Sequence, residues 1–171
     1  LHGMRLRRQS EATLRQSEQN YRQLFNTSTD AILVRDAGTG AIVDTNPRFY
    51  ALFGYTAEEA LHLNAADLSA NVAPYTTDAV AHYMAQTRAG TPQLFEWCSR
   101  RKDGSIFWSQ VSMTQFDLPN GQRIVSTVRD ITELKTAQQN LQELYQQLEA
   151  RVVARTNELQ RVLEQLVQSE K

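Results

Sequence analysis

Ile106-Phe107-Trp108-Ser109-Gln110-Val111-Ser112-Met113-Thr114-Gln115-Phe116, then Asn120-Gly121, then Arg123-Ile124-Val125-Ser126-Thr127-Val128-Arg129 is the stretch that decides the fold. Both runs are rich in β-branched and aromatic residues, the composition of a pleated, half-buried surface. The Asn-Gly pair between them suits a two-residue hairpin turn, whose central residues need positive φ. Two long antiparallel strands follow from this. Immediately before them, Leu94 to Ser99 reads as a third strand, closed by a tight turn at Lys102-Asp103-Gly104.

Working towards the N-terminus, Ala31-Ile32-Leu33-Val34-Arg35 and Ala41-Ile42-Val43-Asp44 flank Asp36-Ala37-Gly38-Thr39-Gly40 and form another hairpin. Asn46-Pro47 opens a short helix, with Asn46 as the cap and Pro47 in the first turn, where its missing N–H costs nothing. Phe49, Leu52 and Phe53 make the apolar face of that helix, and Gly54 ends it. Thr56-Ala57-Glu58-Glu59 is a capping box that starts another helical turn. Thr77 to Arg88 reads as a longer helix closed by Gly90. The order is two strands, several short helices and three antiparallel strands. That is an α+β layout, with helices gathered over one face of an antiparallel sheet.

The flanks have a different composition. Residues 4 to about 24 are rich in Gln, Arg, Glu and Ser, with sparse apolar positions at Leu14, Tyr21 and Leu24, which suits a helix with a thin apolar stripe. From Ile131 to Lys171 there is no Gly or Pro, and Gln, Glu and Leu dominate. A heptad runs through this segment: Leu134, Leu141, Leu148, Arg155 and Val162 occupy d, and Gln138, Tyr145, Val152, Leu159 and Leu166 occupy a. Such a helix would be about 60 Å long and calls for a partner helix along its seam. Polar Gln138 and Arg155 weaken the seam and set its register. The boundaries expected are a signalling and dimerisation helix at 1–24, a globular domain at 25–132 and a coiled-coil linker at 133–171. The pattern runs to Lys171 without a cap, as expected of a piece of a longer protein.

The composition narrows the class further. The 171 residues are 41% hydrophobic and 22% charged, enough for one sizeable core. A mean hydropathy of -0.50 places the excess polarity in the flanking helices. A net charge of -1 gives no basic field for nucleic acid. No apolar run approaches the ~18 residues of a membrane span, so no membrane insertion is expected of this stretch. Arg5, Arg7 and Arg8 would suit the cytoplasmic flank of a membrane anchor elsewhere in the parent. Cys98 alone excludes an internal disulfide and fits a reducing cytoplasm.

The order and motifs together resemble the PAS sensor family from about Tyr21 to Thr132. The resemblance rests on Tyr21-Arg22-Gln23-Leu24-Phe25 leading to Asp30-Ala31-Ile32, on Asn46-Pro47-Arg48-Phe49 with Phe53-Gly54-Tyr55 and Glu58-Glu59, on Glu96-Trp97, on Arg101-Lys102-Asp103-Gly104-Ser105, and on the closing Arg129-Asp130-Ile131-Thr132-Glu133. It implies the PAS fold, a five-stranded antiparallel sheet with short helices on one face, and a sensory role. Leu148-Glu149-Ala150-Arg151-Val152 with Arg155-Thr156-Asn157-Glu158-Leu159 resembles the linker ahead of the phosphoacceptor helices in sensor histidine kinases. Similar linkers precede diguanylate cyclases. The resemblance also marks Asp130, Ile131 and Thr132 as the segment through which PAS domains drive their exit helix. Arg123, Arg35 and Arg129 are the candidate basic partners of Asp130.

No catalytic constellation is legible, and this chain is expected to be a regulatory piece rather than an enzyme. His2, His62 and His82 lack a second ligand at metal spacing, so no metal is expected. Flavin-binding relatives carry a cysteine where this chain has Asn64-Ala65-Ala66-Asp67-Leu68, which argues against flavin. Haem-binding relatives use a His on the long helix. Here Val80, Tyr83, Met84 and Thr87 take the core-facing positions, which turns His82 to solvent and argues against haem.

Strand alternation, phased by the resemblance, sends Phe95, Trp97, Phe107, Val111, Met113, Ile124, Ser126 and Val128 inwards. With Val80, Tyr83 and Met84 they are the candidate pocket. Two readings stay open: side chains that simply fill the core, or a pocket for a small apolar molecule. The expected whole is a cytoplasmic sensory module. It would work as a parallel homodimer through Leu134, Leu141, Tyr145, Leu148, Val152, Leu159, Val162 and Leu166, and act on an output kinase domain in the same parent chain. The rival reading is a dimerisation scaffold without a stimulus.

Overall fold

The computed structural model describes residues 2–170. Leu1 and Lys171, and the side chain of Arg5 in the basic flank, lie outside the described residues. The elements in chain order are α1 (His2–Thr27), β1 (Ala31–Asp36), β2 (Ile42–Thr45), α2 (Pro47–Phe53), α3 (Ala57–Ala60), α4 (Thr77–Arg88), β3 (Gln93–Arg100), β4 (Ile106–Leu118), β5 (Gly121–Asp130) and α5 (Thr132–Ser169). The five strands form one antiparallel sheet in the order β2-β1-β5-β4-β3. The chain divides into two units, one ending at Ile131 and the other beginning at Thr132.

Local chemistry accounts for the short elements. The Asn46 side chain accepts from the Phe49 amide and Pro47 occupies the first turn of α2, while Gly54 stops that helix with φ 81°. A β-carbon would be strained in that left-handed conformation. Thr56 and Glu59 form the reciprocal capping box of α3, and the Thr76 side chain accepts from the Ala79 amide at the start of α4. The β4–β5 hairpin pairs Leu118 with Gly121, so Pro119 and Asn120, one residue earlier than the Asn120-Gly121 pair expected, form its turn, and the register runs without a break to Ser109 and Asp130.

Alternation then decides the faces. Ala31, Leu33 and Arg35 on β1, Trp97 and Ser99 on β3, Phe107, Ser109, Val111 and Met113 on β4, and Ile124, Ser126 and Val128 on β5 are buried, and their strand neighbours are mostly half-buried. The buried side chains form one core with Phe49, Leu52 and Phe53 of α2 and Val80 and Met84 of α4. The Phe49 and Phe53 rings lie 4.9 Å apart, and Phe53 meets Phe107 edge-on at 5.4 Å. The β3 edge is covered: Arg100 N–H donates to Leu68 O and Ala70 N–H to Cys98 O, so the 66–70 segment blunts a free strand edge.

Asn46 ties the N-terminal end of this unit together. It is fully buried, and its amide accepts from Ile32 N–H at 2.8 Å and donates to Phe25 O and Asp30 O at 3.0 Å each. Phe25, near the end of α1, is buried and stacks on Tyr21, while Arg22 pairs with Asp44 at 3.1 Å.

In the second unit, α5 is 38 residues long and none of its residues is buried. The a and d residues Leu134, Leu141, Tyr145, Leu148, Val152, Leu159, Val162 and Leu166 are exposed. So are Leu144, Val153, Leu163 and Val167. The apolar surface of α5 is therefore broader than an a and d stripe, because Leu144 and Leu163 flank the seam at g and e.

Candidate functional site

Between α4 and the inner sheet face lies a cavity of about 60 Å³. Its walls come from β1 (Leu33, Arg35), α2 (Phe53), the connection before α4 (Ala65, Leu68, Ser69), α4 (Val80), β3 (Phe95, Trp97, Ser99), β4 (Val111, Met113) and β5 (Ser126, Val128). Of the residues anticipated from sequence, Val80, Phe95, Trp97, Val111, Met113, Ser126 and Val128 meet here. Met84 instead lines an adjoining cleft of about 370 Å³, which shares Arg35, Ala65, Val80 and Met113 with the cavity. Tyr83 stacks on Phe95 with the ring centroids 3.7 Å apart. Phe107 and Ile124 are core residues away from both spaces: Phe107 packs against Phe53, and Ile124 is fully buried.

The polar groups around the cavity are largely engaged. Trp97 Nε1–H donates to Ser69 Oγ at 3.1 Å, and Ser69 Oγ–H donates to Ala65 O at 2.8 Å. Ser99 and Ser109 share a hydroxyl hydrogen bond of 2.7 Å. Ser126 Oγ is buried and has no hydrogen-bond partner among the described residues. Arg35 is 7% exposed and stands on the inner face, with Nη1–H donating to Gly40 O at 3.1 Å. Burial pushes the Arg35 guanidinium down to about 10, so it stays cationic at neutral pH. Sequence reasoning passed over Leu33, Arg35, Phe53, Ala65, Leu68, Ser69 and Ser99 as lining residues. The alternation of Ala31, Leu33 and Arg35 was the available signal for two of them.

His82 is exposed and hydrogen-bonded to Gln86 Nε2 at 3.0 Å, pointing away from this cavity as its helical position anticipates. Cys98 is half-buried on the opposite face from Trp97, and burial pushes its thiol up, away from the reactive thiolate. Among the described residues, no group of three His, Cys, Asp or Glu side chains is placed to hold a metal.

The exit from the sheet is fixed by a set of contacts around Arg101. Its Nη2–H donates to Asp130 Oδ2 at 2.9 Å, its Nε–H donates to Leu52 O at 3.0 Å, and its guanidinium lies 4.0 Å from the centroid of the Phe107 ring. None of the three arginines anticipated for Asp130 takes that place. Arg123 pairs with Asp36 at 2.9 Å, Arg129 with Asp30 at 2.8 Å, and Arg35 faces the core, where it donates to the Gly40 carbonyl. Strand alternation explains why Arg35 is unavailable, since it faces the core. Next to Asp130, Ile131 is buried and its N–H donates to Trp108 O at 2.9 Å.

Comparison with known proteins gives a consistent result. The "PAS domain" family model matches residues 29–133. The methyl sulfide methyltransferase-associated sensor of Methanosarcina acetivorans is 27% identical over 130 residues, 76% of this chain and 13% of its own. The sensor histidine kinase TmoS of Ectopseudomonas mendocina is 28% identical over 144 residues, 82% of this chain and 14% of its own. The chain thus spans about one seventh of the length of these curated relatives or slightly less. Among solved structures, the PAS domain of an HTR-like protein from Haloarcula marismortui superposes with a TM-score of 0.62 at 27% identity, covering 72% of this chain and 99% of that one. With its five-stranded antiparallel sheet, its overlying helices and a family match across most of the first unit, the chain belongs to the PAS domain family.

Proposed function

We propose that this chain is the sensory segment of a signal-transduction protein, a sensor histidine kinase, acting on the cytoplasmic side of the membrane. A small molecule is perceived in the cavity under α4, and the reading passes through Asp130, Ile131 and Thr132 into α5. There the a and d residues pair in a parallel homodimeric coiled coil that leads to the output domain. The observation that carries this is the position of β5. Its Ser126 and Val128 line the cavity, its last residue is Asp130, and α5 starts two residues later. A rearrangement of the cavity wall thus reaches the start of α5 within four residues of chain. The two curated relatives, both named as sensors, support the same reading.

A second reading is a scaffold whose PAS fold supplies dimer contacts without a stimulus, and the small size of the cavity favours it. Native mass spectrometry of the purified chain separates the two. Sensing predicts a dimer of twice 19.5 kDa that carries, or takes up, a small molecule lost on denaturation. A dimer that takes up nothing from a broad metabolite panel supports the scaffold. A monomer overturns the coiled-coil part of both.

A further inference from the structure

We infer that the cavity takes a small aliphatic monocarboxylate, whose carboxylate lies between the Arg35 guanidinium and the Ser126 hydroxyl and whose tail is held by Val80, Val111, Met113 and Val128. The inference rests on the sensory reading above and names its ligand class.

Two side chains on the cavity wall carry it. Arg35 is 7% exposed, and among the described residues its hydrogen bonding consists of one contact, to the Gly40 carbonyl. A guanidinium has five N–H donors in a fork that matches a carboxylate. Burying such a cation without a counter-charge is costly, and the usual resolution is a carboxylate partner. The nearest acid in sequence, Asp36, is engaged with Arg123 and with the Gly38 and Thr39 amides. Ser126 is 3% exposed, and its hydroxyl has no hydrogen-bond partner among the described residues. It is the second group on the same wall with unused hydrogen-bonding capacity.

The register places these two groups close together. Ser126 sits opposite Leu33 and Ile124 opposite Arg35, so Arg35 and Ser126 are diagonal neighbours on the inner face of the β1–β5 pair. Diagonal β-carbons are roughly 7 Å apart, a span that one carboxylate can bridge between a long guanidinium arm and a short hydroxyl. Beyond them the wall is apolar. A cavity of 60 Å³ is well under the about 150 Å³ of a cavity that takes a benzene ring, so it encloses only the tail, about two to three carbons, and the carboxylate sits at the Arg35 boundary with the adjoining cleft. The adjoining 370 Å³ cleft, which shares Arg35 with the cavity, provides the way in.

The test titrates the whole chain with butyrate and with butyramide, following tryptophan fluorescence (Trp97 lines the cavity) and the melting temperature. Butyrate should bind at least tenfold more tightly than butyramide. Arg35→Gln should weaken butyrate at least tenfold while leaving butyramide within threefold. If Arg35→Gln fails to fold, the butyrate-to-butyramide ratio in the unmodified chain decides alone. Equal binding of the two would overturn the anion assignment and leave the sensory cavity standing. Absence of binding by butyrate up to 10-fold above a millimolar threshold would overturn the inference, and uptake of an unrelated neutral molecule in native mass spectrometry would then show that only the ligand class was wrong.

Discussion

Asp130 Oδ2 lies 2.9 Å from Arg101 Nη2, which binds the last residue of β5 to the turn between β3 and β4. Because Arg101 also donates to Leu52 O and covers the Phe107 ring, this one guanidinium connects the end of α2, the core and the end of the sheet. Each side chain of the pair is a little over a quarter exposed, so the contact is worth more than a surface ion pair but remains partly screened. Asp130→Ala and Arg101→Met should each cost about 1 kcal/mol of stability. The double variant should cost less than the sum, by about 0.5 kcal/mol or more, in a denaturant titration. In the parent protein, Asp130→Ala should hold output high or low regardless of stimulus. A normal stimulus response with the modest stability loss would reduce Asp130 to a structural contact.

Asn46 makes a sharper stability prediction. Its amide both donates and accepts, reaching Ile32, Phe49, Phe25 and Asp30 from a fully buried position. Asn46→Ala should cost about 3 kcal/mol, combining a lost cap with stranded backbone groups. Asn46→Asp preserves the shape but turns two donors into acceptors facing the carbonyls of Phe25 and Asp30. It should be at least as damaging at neutral pH, and a fully stable Asn46→Asp would contradict the described network.

The acid side of the stability profile follows from three carboxylates. The Thr39 and Gly38 amides and Arg123 hold Asp36 below its ordinary range, Lys102 and the Thr56 amide do the same for Glu59, and Ser105 does so for Asp103. A depressed carboxylate stabilises the folded state above its unfolded pKa of roughly 4 and loses that contribution as pH falls through the folded value. The urea midpoint should therefore be flat from neutral pH to about 5 and fall below it. Asp36→Asn should make the fall shallower. A midpoint that rises between pH 5 and 3 would reverse the sign.

The exposed seam of α5 predicts assembly. Leu141 and Leu148 are both d residues of the heptad and are about half exposed in the single chain. Leu141→Asp with Leu148→Asp would bury two charges in a helix pair and should convert a dimer into a monomer by light scattering. A dimer that survives the double substitution would place the contact elsewhere.

Sequence made the elements legible wherever a local rule governs them. Asn46-Pro47 and Thr56 with Glu59 each fix a start or a cap through neighbours a few residues apart, and the structure has both, whereas Asn120-Gly121 marks the hairpin but not its central pair, since Gly121 already opens β5. The long-range choices were less legible. Asp130 selects Arg101, 29 residues away across a turn, over the nearer Arg129 and Arg123, because those two already serve Asp30 and Asp36. Arg35, one of the candidate partners of Asp130, is instead carried inwards by the same alternation that buries Ala31 and Leu33. The split between Tyr83, stacked on Phe95, and Met84, lining the cleft, depends on how α4 is rotated against the sheet, which periodicity places only to within a residue.

The central claim is that the state of the cavity reaches α5 through β5, and hydrogen–deuterium exchange on a filled cavity tests it most directly. Val111 lines the 60 Å³ space, so Val111→Phe occupies it without any ligand, while Leu118→Phe at the exposed end of β4 serves as a control. Val111→Phe should change exchange across Arg129 to Lys135 by at least threefold, and Leu118→Phe should leave it unchanged. Identical exchange over Arg129 to Lys135 in the filled variant and the unmodified chain would contradict the claim.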